Sequence, residues 1–93
     1  NADTNSERIV AIRDLENRGV RTWASIEPII NVEKSLYMIT RAHNVGCREF
    51  KIGVLSGKKE YTPRDVLAFK ETVEECCPDC TILWKNSLLE YIS

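Results

Sequence analysis

The sequence has almost no net charge: thirteen basic against fourteen acidic side chains leave a formal charge of -1. That balance removes any chain-wide attraction to nucleic acid or to an anionic membrane, and leaves only local basic faces such as Lys58, Lys59 and Arg64. Long apolar runs are also missing, none approaching the roughly 20 residues that cross a bilayer. Nor does a charged-then-apolar leader open the chain, so the expectation is a cytoplasmic protein with no membrane partner. There is no phosphate-binding P-loop either. Ser56 and Gly57 offer backbone amides beside Lys58 and Lys59, which reads first as a solvated loop and only second as a phosphate contact.

The composition is 43% hydrophobic and 29% charged, that of an ordinary folded domain. At 93 residues the chain holds one domain, near the lower end of what builds its own core. It must fold compactly or borrow surface from a partner. Asn1 and Ala2 resemble the remnant of a cleaved expression tag, so residues 1–3 are expected to be a disordered start, and 4–93 a single excised domain.

Periodicity and capping signals predict seven elements. A helix over Thr4–Arg18 carries Ile9, Val10, Ile12 and Leu15 on one side, with a capping box from Thr4 to Glu7 and Gly19 at its end. A strand over Val20–Ile26 is closed by Glu27 and Pro28. Asn31 caps a second helix with Glu33 at its positive end, a stripe of Val32, Leu36, Ile39 and His43, and an end at Asn44–Gly46. Glu49–Leu55 form the second strand. Thr62, Pro63 and Asp65 open a third helix, whose buried stripe is Val66, Phe69 and Val73. Thr81–Trp84 make the third strand, and Asn86 or Ser87 caps a last short helix with Leu88, Leu89 and Ile92.

Ile26, Ile52 and Leu83 lie about thirty residues apart, the length of a βαβ crossover returning to a parallel neighbour. The fold class is therefore α/β, with three parallel strands alternating with four helices. Parallel sheets are normally covered on both faces and larger than this. Alternation places Trp23, Ser25 and Glu27 opposite Thr22, Ala24 and Ile26, and Lys51 and Gly53 opposite Phe50, Ile52 and Val54. In the third strand Leu83 and Lys85 oppose Ile82 and Trp84. One side is apolar and the other carries charge at the carboxyl ends of the strands, as in a barrel interior with its mouth. An unpartnered buried charge costs several kcal/mol, so Glu27 and Lys51 need each other, a ligand or water. Both readings stand at this point: a structural ion pair, or a ligand site made of Ser25, Glu27, Lys51 and Lys85.

The stretch TWASIEPIINVEKSLYMI, Thr22 to Ile39, resembles the strand and helix that follow the cluster-binding half of radical S-adenosylmethionine proteins, especially those related to spore photoproduct lyase. EFKIGVL and ILWKNSLLEYI are similar to the later strand ends of that family, and the ordered resemblance spans Ser6 to Ile92. It implies a fragment of a partial (βα)6 TIM-like barrel. An N-terminal half of the parent chain would bind a [4Fe-4S] cluster through a CxxxCxxC loop, and these strands would help to hold S-adenosylmethionine and substrate. The resemblance puts Ser25 and Glu27 near cofactor or substrate, Lys51 inward on the next strand and Lys85 at the end of the last. The fragment would carry no cofactor alone, and a nucleic-acid substrate is implied by resemblance only. The cluster loop itself is absent: Cys76 and Cys80 have CxxxC spacing, but position 83 is leucine.

Cys77 and Cys80 form CxxC around Pro78 and Asp79, the spacing of a redox pair or half a zinc site. Two more ligands would be needed, and neither Cys47 nor His43 makes a second close pair, so no metal is expected. Plain reduced thiols are the main reading, with a disulfide from Cys80 as the alternative. A redox role would suit a helix N-terminus, whereas this pair follows a helix C-terminus. His43 reads as a cation at a helix end, and Trp23 and Trp84 as packing residues, with Trp23 able to line an interior. The competing function is a non-enzymatic α/β module that pairs through its exposed sheet edge, as a homodimer for instance.

Overall fold

The structure, a computed structural model, describes the backbone from Thr4 and the side chains from Ser6 to Ser93. The expected tag remnant at Asn1 and Ala2, and the Thr4 side of the capping box, lie outside the described residues. The elements are α1 (Thr4–Asn17), β1 (Ala24–Ile29), α2 (Val32–Asn44), β2 (Glu49–Val54), α3 (Pro63–Cys76), β3 (Thr81–Trp84) and α4 (Asn86–Ile92). One sheet of order β1-β2-β3, parallel throughout, carries the four helices. Among the described residues no helix is long and apolar enough to cross a membrane.

Local chemistry sets the element ends. Gly19, at φ 80, closes α1: its N–H bonds to the Glu16 carbonyl at 3.0 Å, and Val20 N–H to that of Leu15 at 2.9 Å. Asn31 accepts from Lys34 N–H at 2.9 Å and starts α2. Thr62 and Asp65 exchange side-chain and backbone hydrogen bonds at 2.9 and 3.2 Å, with Pro63 in the first helical turn of α3. The start of α4 departs from expectation. Its cap is Lys85, without a side-chain bond, while the Ser87 hydroxyl accepts from Val54 N–H at 3.4 Å.

β1 also differs from the predicted Val20–Ile26. Val20 is in an exposed connection, and the strand runs on through Pro28. Ile26 pairs with Ile52 but Ile29 with Val54, so three residues of β1 advance against two of β2. This bulge on an edge strand accommodates Pro28, which has no N–H to give to the ladder.

The sheet is covered on one side. Ala24, Ile26, Ile29, Phe50, Ile52 and Val54 are buried with residues of all four helices in a single cluster, and Ile82 and Trp84 pack against it. The opposite side is bare, with Trp23 58% and Leu83 52% exposed. An overall extent of 39 × 33 × 18 Å fits two layers rather than three, since adjacent layers pack about 10 Å apart.

Two predicted helix faces shift. Among the described residues of α1 only Ile9 and Ile12 are buried, while Val10 and Leu15, which flank that seam, are exposed. In α2 the buried residues are Ser35, Met38, Ile39 and Ala42, and Val32 and Leu36 only flank the core. Ser35 lies three and four residues before Met38 and Ile39, and Ala42 four and three after them, a full stripe that small Ser35 and Ala42 disguise in the sequence. The α3 stripe of Val66, Phe69 and Val73 is as predicted.

Candidate functional site

Strand alternation and register arrange the open face in rows. Ser25 of β1, Lys51 of β2 and Leu83 of β3 are aligned across the sheet. Two residues further along from each, on the same side, come Glu27, Gly53 and Lys85. Lys85 Nζ is 3.2 Å from Glu27 Oε2, so its side chain spans from the end of β3 to β1 across the central strand. Gly53 makes that crossing fit: a Cβ there would meet Lys85 Cγ at 3.2 Å and Ser87 Oγ at 3.2 Å.

The ionic partners differ from those weighed on the sequence. Glu27 pairs with Lys85 and not with Lys51. The Lys51 ammonium instead lies 4.8 Å from the ring centre of Trp23, a cation–π contact. Trp23, read as a packing residue, stands exposed on this face, whereas Trp84 packs edge-on against Phe69 with ring centres 6.4 Å apart. Trp23, Lys51 and Leu83 border a shallow groove of about 290 Å³. Thus Ser25, Glu27, Lys51 and Lys85 share one open face, but only Glu27 and Lys85 touch. Side chains 37% and 43% exposed keep that pair hydrated, so it adds little to stability.

Tyr61 supports this mouth from below, a role the sequence does not announce. Its hydroxyl donates to the Ile29 carbonyl at 2.6 Å and accepts from Leu55 N–H at 3.0 Å, tying together the ends of β1 and β2. Tyr91 donates to the Tyr61 carbonyl at 2.8 Å and meets its ring edge-on. No periodicity marks Tyr61 in the sequence, because it lies in the loop between β2 and α3.

At the other end of the strands, His43, Cys77 and Cys80 come together, their ligand atoms all within 4.8 Å of one another. Sequence spacing left His43 outside any close pair, since 34 positions separate it from Cys77. Asp79 ties the group to its surroundings: Oδ1 is 2.9 Å from His43 Nε2, and Oδ2 is 2.9 Å from Arg48 Nε. The His43 bond, and then Arg48, hold the Asp79 carboxyl below its usual range. Burial pushes the Cys80 thiol up to about 12, reinforced by Cys77 and Asp79, and burial also raises Cys77. All four cysteines are free. Raised thiols at Cys77 and Cys80 speak against a redox nucleophile in this pair.

Glu27 and Lys85 thus place a carboxylate and an ammonium side by side, open to solvent. An iron–sulfur cluster does not fit the described residues: Cys76 is exposed and Cys77 buried, and Leu83 holds the position of the next ligand. No protein-family model, curated protein or solved structure matches this chain.

Proposed function

We propose that this chain is the C-terminal portion of a radical S-adenosylmethionine enzyme, inactive alone, whose open sheet face forms part of the inner wall of a partial (βα)6 barrel. One observation carries the reading: a parallel sheet covered on one face only, with Ser25, Glu27, Lys51 and Lys85 all on the bare one. Bare parallel sheets are rare, because βαβ crossovers normally leave both faces covered, and a barrel is the arrangement that turns one face inward. Glu27 and Lys85 sit towards the carboxyl ends of the strands, where α/β enzymes bind ligands. The partner is the preceding half of the parent chain, which brings the cluster, and the resemblance extends the proposal to a nucleic-acid substrate. Four free thiols suit a reducing, cytoplasmic setting.

S-adenosylmethionine, when bound, would supply the radical chemistry. This chain's residues bind and orient. Glu27 accepts hydrogen bonds from ammonium or hydroxyl groups, Lys85 donates to a carboxylate, and Gly53 keeps the floor between them open. Lys51 and Trp23 offer a charged and a flat apolar contact further in, suited to a substrate ring. The test is the coding sequence upstream of Thr4: a CxxxCxxC loop within roughly 200 residues, one domain's length, is expected. Its absence overturns the proposal and leaves self-association through the exposed sheet as the surviving reading.

A further inference from the structure

The geometry points to a metal site that takes a thiophilic divalent cation, Zn2+ above all, on Cys77, Cys80 and His43, at the end of the sheet opposite the Glu27–Lys85 mouth. The donor atoms already cluster within 4.8 Å. Tetrahedral zinc, with bonds of about 2.3 Å to sulfur and 2.0–2.1 Å to nitrogen, places its ligand atoms about 3.6 Å apart. Small side-chain rotations therefore close the site.

Three independent features converge. Cys80 N–H bonds to the Cys77 carbonyl at 3.1 Å, a β-turn with Pro78 and Asp79 at its corners that turns both thiols to the same side. The third donor comes from another element, the last turn of α2, so the cation would staple α2 to the α3–β3 connection. Third, the surroundings resemble the outer shell of a zinc centre, where a carboxylate orients the ligating histidine. Asp79 has one oxygen on His43 Nε2, so the cation takes Nδ1, and the other on Arg48, which in turn donates to the carbonyls of His43 at 2.8 Å and Cys47 at 3.0 Å. Both Asp79 oxygens are thereby engaged, which makes Asp79 a positioning residue and leaves the fourth coordination place to water. On binding, the Cys77 and Cys80 S–H bonds break, two sulfur–metal bonds form, and two protons pass to solvent. The position at the amino-terminal ends of the strands, away from the Glu27–Lys85 mouth, assigns it to stability rather than to catalysis.

The test is titration of the reduced, metal-free chain with Co2+ under anaerobic conditions, followed by displacement with Zn2+. The expected result is one cation per chain, with thiolate-to-cobalt charge-transfer bands and the intense visible bands of a tetrahedral centre, and two protons released. Asp79→Asn should weaken binding about 10–100-fold, the usual effect of losing an outer-shell partner, and His43→Gln by more. Cys76→Ser should leave it unchanged. Because His43 and Asp79 are partly or largely exposed, their variants keep the fold even where Cys77→Ser does not. An octahedral or absent cobalt spectrum, or affinity that survives His43→Gln and falls with Cys76→Ser, overturns the inference.

Discussion

Replacing Tyr61 with phenylalanine isolates the hydrogen bonds that hold the mouth of the sheet. The ring is retained, and with it the edge-on contact to Tyr91 at 6.1 Å. Two bonds are lost, one to the Ile29 carbonyl and one from Leu55 N–H. They are not equivalent. Ile29 is fully buried, so its carbonyl is stranded, at a cost of about 1–3 kcal/mol. Leu55 is half-buried and its N–H can turn to water, which limits its share to about 0.5 kcal/mol. The sum is about 2 kcal/mol, which for a domain of this size lowers Tm by about 8–16 °C. Urea denaturation should show a lower midpoint at unchanged slope. A loss below about 0.5 kcal/mol, less than one ordinary hydrogen bond, would refute the view that Tyr61 clamps β1 to β2.

Further expectations concern the open face and the α1 terminus. A double-mutant cycle of Glu27→Gln and Lys85→Met should give a coupling of about 0.2–1 kcal/mol that shrinks in salt, as for an exposed pair. Gly53→Val should push Lys85 and Ser87 aside, costing about 1–3 kcal/mol and removing that coupling, read by repeating the cycle in the variant. The Glu16 carboxylate is held below its usual pKa chiefly by the Thr22 hydroxyl, then by Thr22 N–H. A pKa lowered by folding stabilises above the unfolded value and is lost as pH falls through the folded one. Acid unfolding curves should accordingly show that Glu16→Gln destabilises at neutral pH and that the difference vanishes in acid.

Much of the frame was legible because its signals are local. Thr62, Pro63 and Asp65 announce a helix start by their own hydrogen bonds, and Gly19 an end by its φ. The division of β1 and β2 into an apolar and a charged side followed from alternation alone, and it placed Ser25, Glu27, Lys51 and Lys85 on one face. What alternation cannot give is which charges meet. Glu27 finds Lys85 because Gly53 leaves the central strand flat, while Lys51 reaches back to Trp23. The α2 face was misread because Ser35 and Ala42 bury as small residues do, without an apolar signature. Nor does spacing reveal that α2 ends beside the Cys77–Cys80 turn. That meeting depends on the packing of α2 against α3, a tertiary fact.

The central claim, that the bare face is an inner wall, is tested most directly by measuring how fast Lys51 and Lys85 are acylated, with Lys58 of the exposed loop as reference. In this chain alone all three should react at similar rates. In the protein translated from the complete gene, the account predicts that Lys51 and Lys85 slow at least about tenfold, the factor set by 1.4 kcal/mol of protection, and that S-adenosylmethionine slows Lys85 further. Equal labelling of Lys51, Lys85 and Lys58 in the complete protein, with or without S-adenosylmethionine, would contradict it.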